Sequence, residues 1–295
     1  DAWDIDETYR RHATSLDTAD AVRLDGDAVV VERSVGDSTI VTRIALAEGS
    51  RAVRLSLDVD WHEQQKLLKL GVPVDVHTDR AASEIQFGHI VRPTHTNTSW
   101  DSARFETAAH RWVRVAEPGF GVAVTNDSTY GHDITRHARE AGGTYSLVRL
   151  SIIRSAMFPD PGQDQGLHHL EVGIVVGAEV VDAVIEGYRT NLPTRVVSDA
   201  AEESVAPLVS IDQPGVVVEA IKLAQDGSGD VIVRLYEALG QRAHARLEAG
   251  FDLAGVTETD LLEREVDAAA VSSVDGGSIE LDLRPFQLVT VRLTR

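Results

Sequence analysis

Short runs in which apolar and polar residues alternate fill most of this chain. Examples are "DAVVVERS" at 27–34, "AVRLSLDVDW" at 52–61 and "TYSLVRLSI" at 144–152. A period of two residues is typical of antiparallel strands with one buried face, and turn sequences such as "EPGFG" at 117–121 separate the runs. Long amphipathic helical stretches are nearly absent, and the segment before residue 22 is the best helical candidate. The pattern therefore predicts an all-β fold that begins with a large antiparallel β-sandwich.

The alternating pattern of apolar and polar residues ends near Thr190. Residues 196–211 contain few aromatic residues and no clear period, and we interpret them as a linker or an edge connection. Several short strands follow, with "QDGSGD" at 225–230 as a hairpin turn. We therefore predict a large β-domain at 1–195 and a small Ig-like β-sandwich at 212–295.

The composition excludes some classes of partner. The 295 residues include 47 acidic and 28 basic ones, which gives a formal net charge of −19. Because binding to a nucleic-acid backbone needs a basic face, we predict no nucleic-acid partner. No apolar run reaches the roughly 20 residues that cross a bilayer, so no membrane association is predicted. The absence of cysteine suits a bacterial cytoplasm, and a first residue other than Met indicates a piece cut from a longer protein or a processed one.

One polar run contains ligand types for a metal. "TNDSTYGHDITRH" at 125–137 brings His132, Asp133 and His137 together in the sequence, and zinc accepts all three side chains. A zinc site needs three or four converging ligands, and no helical spacing places these on one face. The run is better interpreted as a polar loop, so we predict no metal site here.

A second segment, "HIVRPTHTNTSWDSARFETAAHRW" at 89–112, combines aromatic and charged residues at an unusual density. An aromatic face beside charged hydrogen-bonding groups is typical of sugar recognition. Packing of Trp100 and Trp112 in a core, with Arg–Asp pairs that stabilise a long loop, is an equally good interpretation. The residues that carry this pattern are His89, Arg92, His95, Trp100, Asp101, Arg104, His110 and Trp112.

At these residues the chain resembles the C-terminal half of the glycoside hydrolase family 38 alpha-mannosidases. The resemblance extends over nearly the whole chain, in order. The segments that carry it include "VDWHEQQKLLKLGVPVDV" at 59–76, "EIQFGHIVRPTHTNTSWDSARFETAAHRWV" at 84–113, "EPGFGVAVTNDSTYGHD" at 117–133 and "VVVEAIKLAQDGSGDVIVRLYEALGQR" at 216–242.

The resemblance implies a large β-supersandwich, similar to galactose mutarotase, followed by a small β-domain. It also implies that the catalytic machinery lies in a preceding α/β barrel and helical domain of the same protein. That module would be the partner of this chain and would carry zinc or a similar divalent metal for the retaining hydrolysis of terminal alpha-mannosides. We therefore expect no catalytic residue and no cofactor in this chain, and no activity from the chain alone. A homo-oligomer stays open.

The resemblance further implies that the β region contributes side chains to the rim of the mannoside pocket. Our first choices are Arg92, His95, Trp100 and Asp101, with Tyr130 and His168 behind them. The alternative is that all six stabilise the sandwich or its contact with the catalytic barrel.

A different class of function also stays open, namely a free-standing carbohydrate-binding or adaptor module. If the chain instead packs against a catalytic barrel, it should expose an apolar patch rimmed by polar residues. We place that patch near Trp3, Trp61 and the 92–101 loop.

Overall fold

The structure is a computed structural model that describes residues 5, 7–46, 49, 51–196, 198, 205–267 and 269–295. The described residues divide into two compact units. Unit 1 comprises those within Asp1–Ile85 together with Ile90–Pro193, and unit 2 comprises Gln86–His89 and those within Thr194–Arg295.

Strands form most of the chain, and helices are few. Among the residues that the structure describes, the helical elements are a 3₁₀ helix (Glu7–His12), α1 (Ser99–Ala103) and α2 (Val180–Asn191). The first thirteen strands are β1 (Ala21–Asp25), β2 (Ala28–Val35), β3 (Ser38–Leu46), β4 (Ala52–Trp61), β5 (Leu68–Val74), β6 (Arg80–Ile85), β7 (Gly88–Pro93), β8 (Thr107–Ala108), β9 (Trp112–Glu117), β10 (Phe120–Asn126), β11 (Gly131–Ala138), β12 (Thr144–Ile153) and β13 (Gly166–Val176). The remaining strands are β14 (Val209–Ile211), β15 (Val216–Leu223), β16 (Val231–Glu237), β17 (Ala243–Ala249), β18 (Gly255–Thr259), β19 (Val271–Asp275), β20 (Ser278–Leu283) and β21 (Leu288–Thr294).

The first thirteen strands form two sheets. A nine-stranded sheet has the order β1-β2-β3-β4-β13-β10-β9-β6-β7, and a four-stranded sheet has the order β5-β12-β11-β8. One hydrophobic core contains buried side chains from both sheets, such as Leu57, Val59 and Trp61 of β4 and Val148 and Leu150 of β12. These residues stand two apart along each strand, so the alternation of the sequence selects the face that is buried.

Helix α2 packs on the large sheet and was not predicted. Its sequence, "VVDAVIEGYRTN", is rich in β-branched residues, which weakens its helical signal. A Cβ atom at Gly187 would lie 3.0 Å from Cδ1 of Trp112, so glycine permits the close packing of helix and sheet. The buried Glu186 accepts a hydrogen bond from Arg54 of β4 at 2.9 Å, which anchors the helix.

Strands β14–β21 form two antiparallel four-stranded sheets, β14-β17-β20-β19 and β15-β16-β21-β18. They enclose a second hydrophobic core, in which Val233, Leu235, Leu247, Leu281 and Val291 are almost completely buried. This arrangement agrees with the prediction of a small sandwich from alternating short strands.

The predicted all-β fold class is confirmed, since β-strands predominate and helices are few. The predicted boundaries at 195 and 212 stay a prediction, because several positions of 196–211 lie outside the described residues. The last three residues of that segment form β14. None of the described helices is long and apolar enough to cross a membrane.

The placement of Trp61 in an exposed patch was wrong. Its side chain is 2% exposed, because it ends β4 on the same face as Leu57 and Val59. Trp3 lies outside the described residues. Trp100 of the 92–101 loop is exposed, as the prediction required.

Candidate functional site

A cleft of about 380 Å³ lies on unit 1 where the four-stranded sheet, β6, β7 and the 94–107 connection meet. Its volume falls at the lower end of the range for small-molecule sites. The residues that line it are Arg10, Ala81, Ser83, Arg92, Pro93, Thr94, His95, Thr96, Asn97, Asp101, Arg104, Phe105, Thr107, His132, Asp133, Ile134, Thr135 and Arg136.

One wall of the cleft is shaped by the start of α1. Thr98 caps the helix, because its Oγ1 accepts a hydrogen bond from the backbone N–H of Asp101 at 3.1 Å. The Asp101 carboxylate accepts in return from the backbone N–H of Thr98 at 3.3 Å, which completes a capping box, and it also accepts from Thr98 Oγ1 at 2.8 Å. His95 Nδ1 lies 3.5 Å from the same carboxylate. Asp101 therefore fixes the loop that carries His95 into the cleft.

Arg92 enters the cleft from the end of β7. Its Nη1 donates to the carbonyl of Ala108 at 3.0 Å, and its side chain is half-buried. Burial and the neighbouring positive charge of Arg104 together lower the pKa of Arg92. Arg92 and Arg104 therefore place two positive charges in the lining of the cleft.

A cluster of buried charges supports the floor of the cleft. The Asp133 carboxylate lies 2.5 Å from Lys69 Nζ and 2.7 Å from Arg149 Nη2. Lys69 Nζ also contacts Glu106 Oε2 at 2.6 Å, and Ser151 donates a hydrogen bond to Glu106. Burial alone would raise the pKa of Asp133, but Lys69 and Arg149 outweigh it and the pKa is lowered. Each charge in this cluster has an opposite charge beside it.

The 3₁₀ helix covers this cluster. Tyr9 Oη lies 3.2 Å from Glu106 Oε2 and 3.3 Å from Asp133 Oδ2, and burial raises its pKa. Arg10 donates to the carbonyl of Phe105 and reaches to 3.7 Å from Asp133. No sequence motif marks Tyr9, Arg10 or Glu106, so none of the three was predicted.

His132 lies buried between the cleft and the core. Its Nε2 is 3.2 Å from both Ser83 Oγ and Thr107 Oγ1. Burial, and next the positive charge of Arg92, lower its pKa to about 4. His132 is therefore neutral at pH 7.

The metal interpretation of this segment finds no support in the geometry. His137, the other histidine of the run, is exposed and stacks on Tyr145 at 5.3 Å between ring centroids. No group of three or more His, Asp or Glu side chains within the described ranges could hold a metal ion.

The structure brings together three of the predicted rim residues and separates the others. Arg92, His95 and Asp101 line the cleft, whereas Trp100, Tyr130 and His168 do not.

The three remaining residues have different surroundings. Trp100 of α1 is 76% exposed beside the cleft loop, and Tyr130 is 64% exposed with its ring against His110. His168 lies on β13 and its Nε2 is 2.9 Å from the carbonyl of Asp164. Whether any of the six contacts a sugar stays a prediction.

Two family profiles match the chain. Residues 1–162 match the family described as glycosyl hydrolases family 38 C-terminal domain, and residues 215–291 match the glycosyl hydrolases family 38 C-terminal beta sandwich domain. The first match alone covers more than half of the chain.

Individual relatives agree with these matches. The chain is 32% identical to alpha-mannosidase 2C1 of Homo sapiens over an alignment of 307 positions. The alignment covers 99% of this chain and 29% of that protein. It is 30% identical over 285 residues to the alpha-mannosidase of Saccharomyces cerevisiae, which covers 87% of this chain and 25% of that protein. The chain thus spans less than a third of the length of these relatives.

A solved structure has the same fold. The crystal structure of an alpha-mannosidase from Enterococcus faecalis V583 superposes with a TM-score of 0.69, at 17% identity, over 89% of this chain and 30% of that chain. At this identity the likeness concerns the fold of the β region.

Proposed function

Because the chain belongs to glycosyl hydrolase family 38 and forms its C-terminal part, we propose that it is the non-catalytic β portion of a longer alpha-mannosidase. The full-length protein would hydrolyse terminal alpha-mannosides with retention of configuration. In it, this chain would stabilise a preceding catalytic barrel and helical domain and contribute side chains to the rim of the sugar pocket.

The observation that carries the rim proposal is the composition of the cleft. Arg92, His95 and Asp101 supply donors and acceptors that suit the hydroxyl groups of a sugar. Trp100, on the adjoining helix, presents an exposed aromatic face of the kind on which sugar rings pack. Strand β7 holds Arg92, and the loop and helix α1 that follow hold the other three groups on the surface, so a neighbouring domain can reach them.

The buried carboxylates of this chain are poor candidates for catalysis. A retaining glycosidase needs two carboxyl groups roughly 5–5.5 Å apart that face the scissile bond. Asp133 and Glu106 are both buried, and both are bound to Lys69 and to the hydroxyl of Tyr9. Their oxygens serve this network, so we assign catalysis to the preceding module.

The zinc-type metal implied by the family belongs with that module as well. The described residues of this chain offer no cluster of His, Asp and Glu that fits such an ion. No step of the reaction is therefore assigned to a metal held here.

A kinetic experiment on the full-length protein tests this proposal. Arg92→Ala should lower kcat/KM on an aryl alpha-mannoside more than tenfold, since a charged hydrogen bond is worth about 1.5–3 kcal/mol and tenfold corresponds to about 1.4 kcal/mol. Arg139→Ala is the matched control, because Arg139 pairs with Asp75 at the surface and does not line the cleft. The 295-residue chain alone should show no turnover.

The outcome separates the two interpretations of the rim residues. A lower melting temperature of Arg92→Ala with unchanged activity per folded molecule would assign Arg92 to stability alone. Turnover by the isolated chain that survives repurification would contradict the non-catalytic assignment. Binding of mannosides by the isolated chain, without any effect of Arg92→Ala in the full-length protein, would favour a carbohydrate-binding module.

We also propose a cytoplasmic location. The absence of cysteine supports it, because such a chain needs no oxidising compartment to mature. Fractionation of the source cell with antibodies to the chain tests it, and recovery with extracytoplasmic markers would contradict it.

A further inference from the structure

Three arginines of the cleft have no carboxylate partner within the part of the chain that the structure describes. Arg92, Arg104 and Arg136 form no ion pair there, and Arg92 and Arg136 donate only to the carbonyls of Ala108 and Thr78. Many other arginines pair with a carboxylate, and they include Arg43, Arg111, Arg149, Arg246 and Arg292. Arg33 and Arg234, away from the cleft, donate to the carbonyls of Leu16 and Leu261 and form no ion pair within the described residues either. In a chain with 47 acidic and 28 basic residues, partners are abundant. Three arginines without an ion pair nevertheless line this one cleft.

The charges that line the cleft do not balance. Four arginines and two aspartates line it, which leaves a surplus of two positive charges. Moreover, Asp133 is already bound by Lys69 and Arg149 behind the cleft. Asp101 is engaged by Thr98 and His95. Arg10 lies 3.7 Å from Asp133, whereas the guanidinium groups of Arg92, Arg104 and Arg136 have no carboxylate beside them among the described residues.

Two neighbouring groups respond to this positive field. The pKa of Arg92 is lowered by burial and by Arg104, and the pKa of His132 is lowered by burial and then by Arg92. Both lowered pKa values mean that these two side chains hold a positive charge less readily than they would in water. A bound anion would relieve the repulsion between Arg92 and Arg104, because opposite charge at short range stabilises the charged form.

We propose that this cleft binds a phosphate group, as inorganic phosphate or as a phosphate monoester carried by a sugar. A phosphate monoester carries a charge of about −1.5 to −2 at pH 7, which matches the surplus of the lining, whereas a carboxylate would neutralise half of it. Guanidinium groups bind phosphate oxygens with paired parallel hydrogen bonds. The volume of about 380 Å³ accommodates a phosphate with a sugar attached. This site goes beyond the proposed function and does not depend on it.

Titration calorimetry of the 295-residue chain at low ionic strength tests the proposal. The probes are sodium phosphate, mannose 6-phosphate and mannose. We expect saturable binding of both phosphates and weaker binding as salt is added. Equal affinity for the two would assign the site to phosphate alone, and tighter binding of mannose 6-phosphate would assign it to a phosphorylated sugar.

Two variants and a control localise the site. Arg104→Ala and Arg92→Lys should each weaken phosphate binding at least tenfold, or about 1.4 kcal/mol. The first removes an exposed charge, and the second keeps the charge but loses the paired donor geometry. Arg139→Ala should bind phosphate as the unmodified chain does, and all three should keep its melting temperature. Absence of saturable phosphate binding, or equal weakening by Arg139→Ala, would overturn the proposal.

The kinetic test of the proposed function remains separate from this one. If Arg104→Ala binds phosphate as well as the unmodified chain does, the proposed phosphate site is wrong, and the alpha-mannosidase assignment is unaffected. If the kinetic test contradicts the alpha-mannosidase assignment, the phosphate affinity measured for this chain still stands.

Discussion

Asp133 of unit 1 and Glu237 of unit 2 are both buried carboxylates, but their partners differ. In unit 1, Asp133 is surrounded by the cations of Lys69 and Arg149. In unit 2, Glu237 is completely buried and accepts hydrogen bonds from four backbone N–H groups. These donors are the amides of Leu239, Gly240, Gln241 and Phe286, at 2.8–3.1 Å.

The two kinds of partner have different structural roles, because Glu237 stabilises connections between strands and Asp133 stabilises the floor of the cleft. Three of these N–H groups come from the connection that follows β16, and the fourth, of Phe286, comes from the connection between β20 and β21. Glu237 therefore fixes two neighbouring connections of unit 2. The cations around Asp133 come from β5 and β12, and burying them costs desolvation that only their mutual pairing offsets. In unit 1 this arrangement stands directly behind a cleft, and it holds the cleft floor in one geometry.

The largest expected effect comes from breaking the ion cluster. Asp133→Ala leaves Lys69 and Arg149 buried without their shared partner, and removal of one member of a buried ion pair costs about 3–5 kcal/mol. All four tryptophans stand at positions 3, 61, 100 and 112, so their fluorescence during urea unfolding follows unit 1. We expect a large decrease in the urea midpoint of this signal.

The matched control is Asp58→Ala, an exposed aspartate on β4 of the same unit. It should leave the midpoint nearly unchanged. A decrease for Asp133→Ala no larger than for Asp58→Ala would show that the cluster contributes nothing to the stability of unit 1.

This cluster also marks the limit of prediction from the sequence. The alternation of residues predicted the strands, and the 92–101 loop placed Arg92, His95 and Asp101 close together because they are close in the chain. Asp133 meets Arg149 and Lys69 only through the register of β11 with β12 and of β12 with β5. A single sequence does not contain that register, so Asp133 was weighed as a metal ligand rather than as an ion-pair partner.

The second effect concerns the pH dependence of unit 1. The pKa of His132 is about 4 when folded and 6.5 as the reference value, so the unfolded chain binds more protons between these pH values. Stability from the neutral His132 is therefore complete above pH 6.5 and decreases as the pH falls towards 4, by about 3 kcal/mol. His132→Gln should flatten the decrease in the urea midpoint over this window.

His169→Gln is the control with the opposite sign. A hydrogen bond to Asp58 raises the pKa of the exposed His169, so its contribution is present at acidic pH and is lost as the pH rises. An unchanged pH profile for His132→Gln would contradict the role of His132.

The third effect tests the turn in unit 2. Glu237→Gln replaces one acceptor oxygen by a donor, so at least one of the four N–H groups loses its partner at a cost of about 1–3 kcal/mol. Hydrogen exchange read by mass spectrometry should show faster exchange in peptides that contain residues 239–241. Tryptophan fluorescence of unit 1 should keep its midpoint. Glu248→Gln, an exposed change on β17, should leave the exchange as it is.

The smallest expected effect concerns an exposed cross-strand ion pair in unit 2, which is compared with the buried pair of unit 1. Arg246 and Glu280 of unit 2 face each other directly across β17 and β20, as Asp133 and Arg149 do across β11 and β12. The Arg246 side chain is half exposed, with Nε 2.7 Å from Glu280, and water and salt screen such pairs. Arg246→Ala should therefore leave the melting temperature of unit 2, followed by circular dichroism, within experimental error. Added salt should remove any small difference. A decrease comparable to that of Asp133→Ala would mean that cross-strand pairing itself, and not burial beside the cleft, makes the ion cluster of unit 1 stabilising.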